Sequence, residues 1–353
     1  MKKKEAELTG VKEIARLANV SIGTVDRVIH NRKGVSEETR QKINAIIDKL
    51  GYKPNTMASL LAKKKQIRLA VLIPQASADT DYWSYPLDGV NVALSEVKHQ
   101  GINLDVHFYD LNSKKSFHDK ATELLENVPD GLVLAPSFVE ESVEFTLQLK
   151  ELGVPMVFIN SDLPNLEPLS YIGPELFQSG RLAAQLLAFI LEPADEVLVI
   201  NISTQIENNH HLKRKEGGFR KYFEEMGHRN RVLTLDIAGA TTAEVEASLT
   251  QYVAENPNVK ALFVTNSRVS RVAQIVKDRS LDLLLAGYDF LPENVKHLNG
   301  DNLKFLVCQR PKEQGYLAVM ALYKHFFNVG VVEATQYMPI DIITRENFMF
   351  YKT

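Results

Sequence analysis

Residues 11–29 read VKEIARLANVSIGTVDRVI. Two apolar repeats of helical spacing sit in this stretch, broken at Asn19 and Val20. Val11, Ile14, Ala15 and Ala18 share one helix face, and Ile22, Val25, Val28 and Ile29 share the next. Ser21 stands where the second helix needs an N-cap. Two helices joined by so tight a turn suit a helix-turn-helix, in which the second helix enters the DNA major groove by its N-terminal residues. Those residues are Ser21, Ile22, Gly23, Thr24 and Arg27. Glycine inside a helix costs about 1 kcal/mol relative to alanine, and a close approach of the backbone to DNA would account for Gly23. Arg27 can fork onto a guanine edge or grip a phosphate. His30, Arg32, Lys33 and Lys53 flank the helix and can hold phosphates.

A third helix is expected after Ser36, with Glu37 and Glu38 in its first turn favoured by the helix dipole and Gly51 placed to end it. The first 65 residues hold 15 lysines and arginines against 7 acids, whereas the remainder holds 26 against 37. The basic end is where a polyanion would bind. Residues 54–65, PNTMASLLAKKK, join the two parts. A plain tether should be polar, yet this one carries Met57, Ala58, Leu60 and Leu61 before three lysines.

From Arg68 onward the pattern becomes α/β. Nine apolar runs, from RLAVLIP to LKFLVCQ, alternate with helical stretches. So many strands make one sheet too wide, and two lobes with doubly wound parallel sheets are expected. The 353 residues, 45% apolar, supply cores for two or three domains. No run of some twenty apolar residues suggests a membrane span, and the N-terminus shows no apolar signal core. With one cysteine, Cys308, no disulfide framework arises, so a cytoplasmic location is expected.

The fragments IARLANVSIGTV, GVSEETR and LGYKPN together resemble the N-terminal region of the LacI/GalR family of bacterial transcriptional regulators, and the resemblance continues to the C-terminus. It implies a helix-turn-helix DNA-binding head over residues 1–53, a hinge helix and linker over 54–66, and a two-lobed ligand-binding and dimerisation domain over 67–353 of the type I periplasmic-binding-protein kind. In the family the hinge folds on the operator and wedges a leucine into the minor groove. Leu61 matches that leucine, with Asn55 and Ala58 on the same segment. A helix this short is marginal in water, and an inserted apolar wedge kinks DNA at a cost its contacts repay.

The resemblance also implies ligand-binding residues. Asn266, Asp289 and Gln309 match the family's polar ligand positions and each directly follows an apolar run. A carboxylate and two amides pair with hydroxyl groups without demanding charge. Tyr82, Trp83 and Tyr85 lie in the loop after the first strand, and Trp83 can stack on a pyranose or pack the lobe. Three positions depart from the family. Asp26 replaces a small serine; Asn160 stands where many relatives carry aspartate, leaving Asp162 as a substitute; and Lys215, beside Arg214, replaces a ligand-gripping arginine. Lysine lacks arginine's bidentate fork, so a phosphorylated or acidic ligand held by Arg214 and Lys215 enters consideration.

The expected function is a sequence-specific regulator, a repressor by the family's commoner sign, acting as a homodimer on a palindromic operator under control of a small carbohydrate effector. No cofactor and no metal site is expected, and His210 with His211 reads as a solvated helix start. No P-loop, HExxH or GxSxG occurs, which disfavours an enzyme. The alternative is a sugar-binding solute receptor without DNA contact, against which the basic head counts.

Overall fold

The computed structural model describes residues 11–29, 33–50, 52, 66–77, 80–163, 165–204, 210–238 and 241–351. Its contacts divide the chain into two compact units, Met1–Lys64 and Lys65–Thr353.

In the first unit α1 (Val11–Ala18), α2 (Ile22–Ile29) and α3 (Glu37–Leu50) enclose a small core of Ile14, Ala15, Ala18, Val25, Val28 and Ile43. Caps set two of the helix starts. Thr24 N donates to Ser21 Oγ at 3.1 Å, and Thr39 N to Ser36 Oγ at 3.3 Å. Ile22 does not join the apolar face expected for it and is half exposed. As the first residue of α2 it lies a turn before Val25, where the core begins.

Twelve strands among the described residues of the second unit form two six-stranded sheets. They are β1 (Ile67–Pro74), β2 (Ile102–Tyr109), β3 (Gly131–Leu134), β4 (Met156–Ile159), β5 (Ser170–Gly173), β6 (Glu196–Ile202), β7 (Val232–Ile237), β8 (Val259–Val264), β9 (Leu284–Tyr288), β10 (Phe305–Cys308), β11 (Thr335–Tyr337) and β12 (Asp341–Ile343). The first sheet has the order β11-β5-β4-β3-β1-β2 and the second β12-β10-β9-β8-β6-β7. All pairs are parallel except β10 with β12. The nine apolar runs are all strands. β5, β11 and β12, which the sequence did not announce, complete the sheets, and they are only three or four residues long.

Helices cover both faces, so alternate residues of one strand serve different cores. In β6, Leu198, Ile200 and Ile202 face one cluster and Val197 and Val199 the other. The helices that bear on the site are α4 (Ser84–Val97), α7 (Leu176–Ala188), α8 (His210–Glu225), α10 (Val269–Asp278) and α12 (Pro311–Phe327); α5 (Lys114–Glu126), α6 (Val139–Glu151), α9 (Thr242–Glu255) and α11 (Pro292–Asn299) complete the order. The chain passes between the lobes three times, after β5, after β10 and after β11. Helices α7 and α8 approach each other through glycine. A Cβ on Gly180 of α7 would lie 1.9 Å from the Lys215 carbonyl, and one on Gly218 of α8 would lie 1.8 Å from the Phe177 carbonyl. No described helix is long and apolar enough to cross a membrane.

Candidate functional site: a nucleic-acid-binding helix and a ligand cleft

In the head, Ser21, Ile22, Gly23 and Arg27 are exposed on α2 and Thr24 is half-buried, while Val25 and Val28 hold the helix to the core. A Cβ at Gly23 would meet only Ser21 Oγ, at 3.7 Å, so nothing described in the protein demands glycine there. Lys33 is exposed. His30, Arg32, Lys53, Asn55, Ala58 and Leu61 lie outside the described residues.

The second unit carries a cleft between its lobes, lined from the carboxyl ends of strands as ligand sites of open α/β sheets are. One wall presents Thr80, Tyr82, Trp83, Asn112, Ser137 and Asn160, and the other Ser203, His211, Lys215, Asn266, Ser267, Arg268, Asp289 and Gln309. The free space is about 70 Å³, well below the roughly 300–1,000 Å³ of ligand pockets. The walls already touch, through Thr80 and Ser267 hydroxyls 2.9 Å apart and a 2.9 Å bond from Thr204 Oγ1 to Asn112 Oδ1. This is a closed conformation, and admitting a ligand requires the lobes to part.

The polar groups are held in place from beneath. Asn160 and Asp289 follow β4 and β9 with left-handed φ of 65° and 73°, a conformation that asparagine and aspartate tolerate better than most residues. Tyr82 donates its hydroxyl proton to Asn160 Oδ1 at 2.7 Å, and the Asn266 amide donates to the Ile202 carbonyl at 2.7 Å. Gln309 Nε2 donates to Asp289 Oδ1 at 2.7 Å, while Gln309 Oε1 is buried and accepts no hydrogen bond from the described residues. Gln314, fully buried on α12, ties the lobes together by donating to the Gln309 carbonyl and accepting from Asn160 N. Trp83 is 5% exposed and meets Tyr82 edge to face, 5.1 Å between ring centres.

Burial governs the charges. It drives Lys215 down to about 8, against the opposing field of Asp289, and pushes Asp289 up to about 6, against Lys215 and the Gln309 amide. His211 falls to about 3 through burial and the neighbouring Lys215 charge, so its imidazole is neutral near pH 7. Lys215 Nζ donates to the Thr265 carbonyl at 3.1 Å and lies 3.7 Å over the Tyr288 ring, which Ser179 fixes through a 2.8 Å hydroxyl contact.

Residues 70–327 match the family of the periplasmic binding protein domain, and residues 10–55 match the bacterial regulatory proteins of the lacI family. The chain belongs to the LacI family of bacterial regulators. It is similar to catabolite control protein A of Priestia megaterium, with 24% identity covering 92% of this chain and 91% of that protein. A solved structure described as a LacI transcriptional regulator, from Bacteroides fragilis, has a TM-score of 0.77 at 29% identity, covering 82% of this chain and all of that one. GanP, a glucose-galactose binding protein from Geobacillus stearothermophilus, shares the sensor fold (TM-score 0.71, 21% identity, 80% of this chain and 99% of that one). As a member of the LacI family the chain is a DNA-binding transcriptional regulator under ligand control.

Within this LacI-family sensor the structure gathers Trp83, Asn160, Lys215, Asn266, Asp289 and Gln309 around one cleft and leaves two expected residues outside its lining. Arg214 pairs with Asp162 at 3.2 Å and with Glu175 at 2.6 Å, so it does not join Lys215 in a cationic grip. Helix geometry explains the separation, because neighbouring residues point about 100° apart whereas residues four apart share a face. His211 and Lys215 therefore line the cleft, while His210 and Arg214 both turn to Asp162, at 3.7 and 3.2 Å. His211 is thus half-buried in the cleft rather than part of a solvated helix start. Sequence reading also missed Arg268, Asn112, Ser137 and Gln314. Only Arg268, two residues after Asn266 at the end of β8, carried a positional hint.

Proposed function

We propose that this regulator is a repressor, not an enzyme, that works in the cytoplasm as a homodimer on a palindromic operator and releases it when a carbohydrate effector occupies the sensor cleft. The observation that carries the carbohydrate reading is the buried pair Asp289 and Gln309. One Asp289 oxygen is engaged by the Gln309 amide, and among the described residues the Gln309 side-chain oxygen Oε1 still lacks a donor. Buried acceptors left unmatched are costly, and the hydroxyls of a polyol supply the donors. Asn266 and Asn160 present further amide groups, and Trp83 offers an apolar ring.

In this reading Ser21, Ile22, Gly23, Thr24 and Arg27 meet the major groove, His30 and Lys53 hold phosphates, and residues 54–66 form the hinge through which Asn55, Ala58 and Leu61 reach the minor groove. Half-sites of a helix-turn-helix dimer mirror its two-fold symmetry. Effector binding acts on DNA only if the ligand binds the operator-competent and operator-incompetent dimers with different affinity.

Genomic fragments retained by the purified protein at moderate salt, then sequenced, test the DNA half of the proposal. A recurring palindrome is expected, with an affinity that falls steeply as salt rises, because each neutralised phosphate releases counterions. Fragments without a common motif, or binding indifferent to salt, would refute it.

A further inference from the structure

We infer that Gln314 is a positioning residue of the sensor, whose one side-chain amide holds the effector-facing residues of both lobes in a single geometry and so preforms the cleft before effector arrives. The inference rests on the carbohydrate reading of the cleft and says how that site is built.

Gln314 lies in the first turn of α12 and is fully buried. That helix packs on α4 and on β3, β4 and β5, which places it in the first lobe. Gln314 Oε1 accepts from Asn160 N at 2.9 Å, at the end of β4 in the same lobe. Gln314 Nε2 donates to the Gln309 carbonyl at 2.7 Å, at the end of β10 in the other lobe. Two further bonds extend the line, from the Tyr82 hydroxyl to Asn160 Oδ1 and from Gln309 Nε2 to Asp289 Oδ1, each 2.7 Å long. A run of hydrogen bonds thus passes from Tyr82 on one wall, through Asn160, Gln314 and Gln309, to Asp289 on the other.

The path of the chain explains why an amide stands here. Only Arg310, with a left-handed φ of 51°, separates Gln309 in the second lobe from α12 in the first. A chain that changes lobes so abruptly leaves its sheet ladder, and its buried backbone groups need other partners. Glutamine serves two of them at once, because an amide both accepts and donates. Asn160 has a left-handed φ of 65°, a conformation that persists in a residue other than glycine where its surroundings hold it. The contacts from Thr80 to Ser267 and from Thr204 to Asn112 are within reach of water, whereas Gln314 is not. Its loss would leave polar groups unmatched at the base of the cleft. A cleft ordered in advance gives up less freedom when ligand binds.

Trp83 is the only tryptophan of the chain and meets Tyr82 edge to face, so its fluorescence reports one end of the run without any ligand. Gln314→Met keeps the length of the side chain and removes both hydrogen bonds; Gln314→Leu serves should the first variant not fold. In the full chain, well below its unfolding transition, Trp83 emission is expected to shift to the red and acrylamide to quench it more strongly. Tyr82→Phe cuts the same run at another link, and the double variant should add little to the larger single effect, because linked sites are not additive. Leu249→Ala, a core change on α9 outside the cleft lining, should lower stability without moving the signal. An unmoved Trp83 signal in the Gln314 variant, or a double variant equal to the sum of its singles, overturns the inference. Calorimetric titration with glucose, galactose, xylose and ribose keeps the two readings apart. A sugar that binds wild type should bind Gln314→Met about tenfold weaker or more. Equal affinity overturns the inference and leaves the carbohydrate reading standing. Wild type that binds none of the four overturns the carbohydrate reading alone, and the Trp83 signal then decides the role of Gln314.

Discussion

Asp289→Ala is expected to weaken effector binding about 100-fold or more, because hydrogen bonds to a charged group contribute about 1.5–3 kcal/mol each and a carboxylate can accept at least two. Titration of the effector checks the loss, and operator binding without effector should be unaffected. The same variant carries a pH signature. Burial raises the Asp289 carboxyl from 3.8 to about 6, so between these values the folded chain holds a proton that the unfolded chain has released. Stability therefore falls as pH rises through that window, and the penalty is complete above it. Lys215, lowered from 10.5 to about 8, contributes in the opposite direction, its penalty relieved as pH rises from about 8 to 10.5. Both penalties are in force between about pH 6 and 8, where ligand groups that meet these charges have most to offset. The difference in stability between wild type and Asp289→Ala, followed by denaturant titration, should grow in the variant's favour from pH 4 to 6. A difference that stays flat across this range would remove Asp289 from the buried, charge-frustrated position assigned to it.

Gly218→Ala is expected to destabilise the sensor by about 2 kcal/mol or more, in the upper part of the range for overpacking, whereas Gly217→Ala should be neutral or stabilise by up to about 1 kcal/mol. The two glycines are neighbours on α8 with different surroundings. A Cβ on Gly218 would collide with the Phe177 carbonyl at 1.8 Å, a backbone atom that cannot swing aside, while one on Gly217 would find the Phe177 ring at an ordinary 3.8 Å. Gly218 lies one turn beyond Lys215, whose own carbonyl meets Gly180 of α7 in the reciprocal contact. The paired glycines thus fix the height of the helix that delivers Lys215 and His211 to the cleft. Shifted unfolding midpoints of opposite sign would bear this out; equal effects would contradict the packing described.

These contacts mark where sequence reading stops. The helical head was legible because apolar spacing and two serine caps agree, and the two lobes followed from counting nine apolar runs. Asn266, Asp289 and Gln309 were named from the family resemblance, and their place directly after apolar runs agrees with the strand ends from which they emerge. β5, β11 and β12 were not legible: their residues, SYIG, TQY and DII, form no continuous apolar run, and β11 is largely exposed. Arg214 was placed in the cleft because the sequence shows it beside Lys215, but it does not show which way α8 is turned. Gln314 owes its position to long-range packing that no local pattern encodes. Ile22 was assigned to a core that begins one turn later.

In a regulator under ligand control, occupancy of the cleft and binding of DNA are coupled. Coupling is reciprocal, so the factor by which effector changes operator affinity must equal the factor by which operator changes effector affinity. The deciding measurement is a pair of titrations on the full chain: fluorescence anisotropy of labelled operator with and without saturating effector, and effector binding with and without saturating operator. Effector is expected to weaken operator binding at least about fivefold, within the usual range of allosteric coupling, with the same factor in the reverse titration. An operator affinity unmoved by an effector that demonstrably fills the cleft would contradict it.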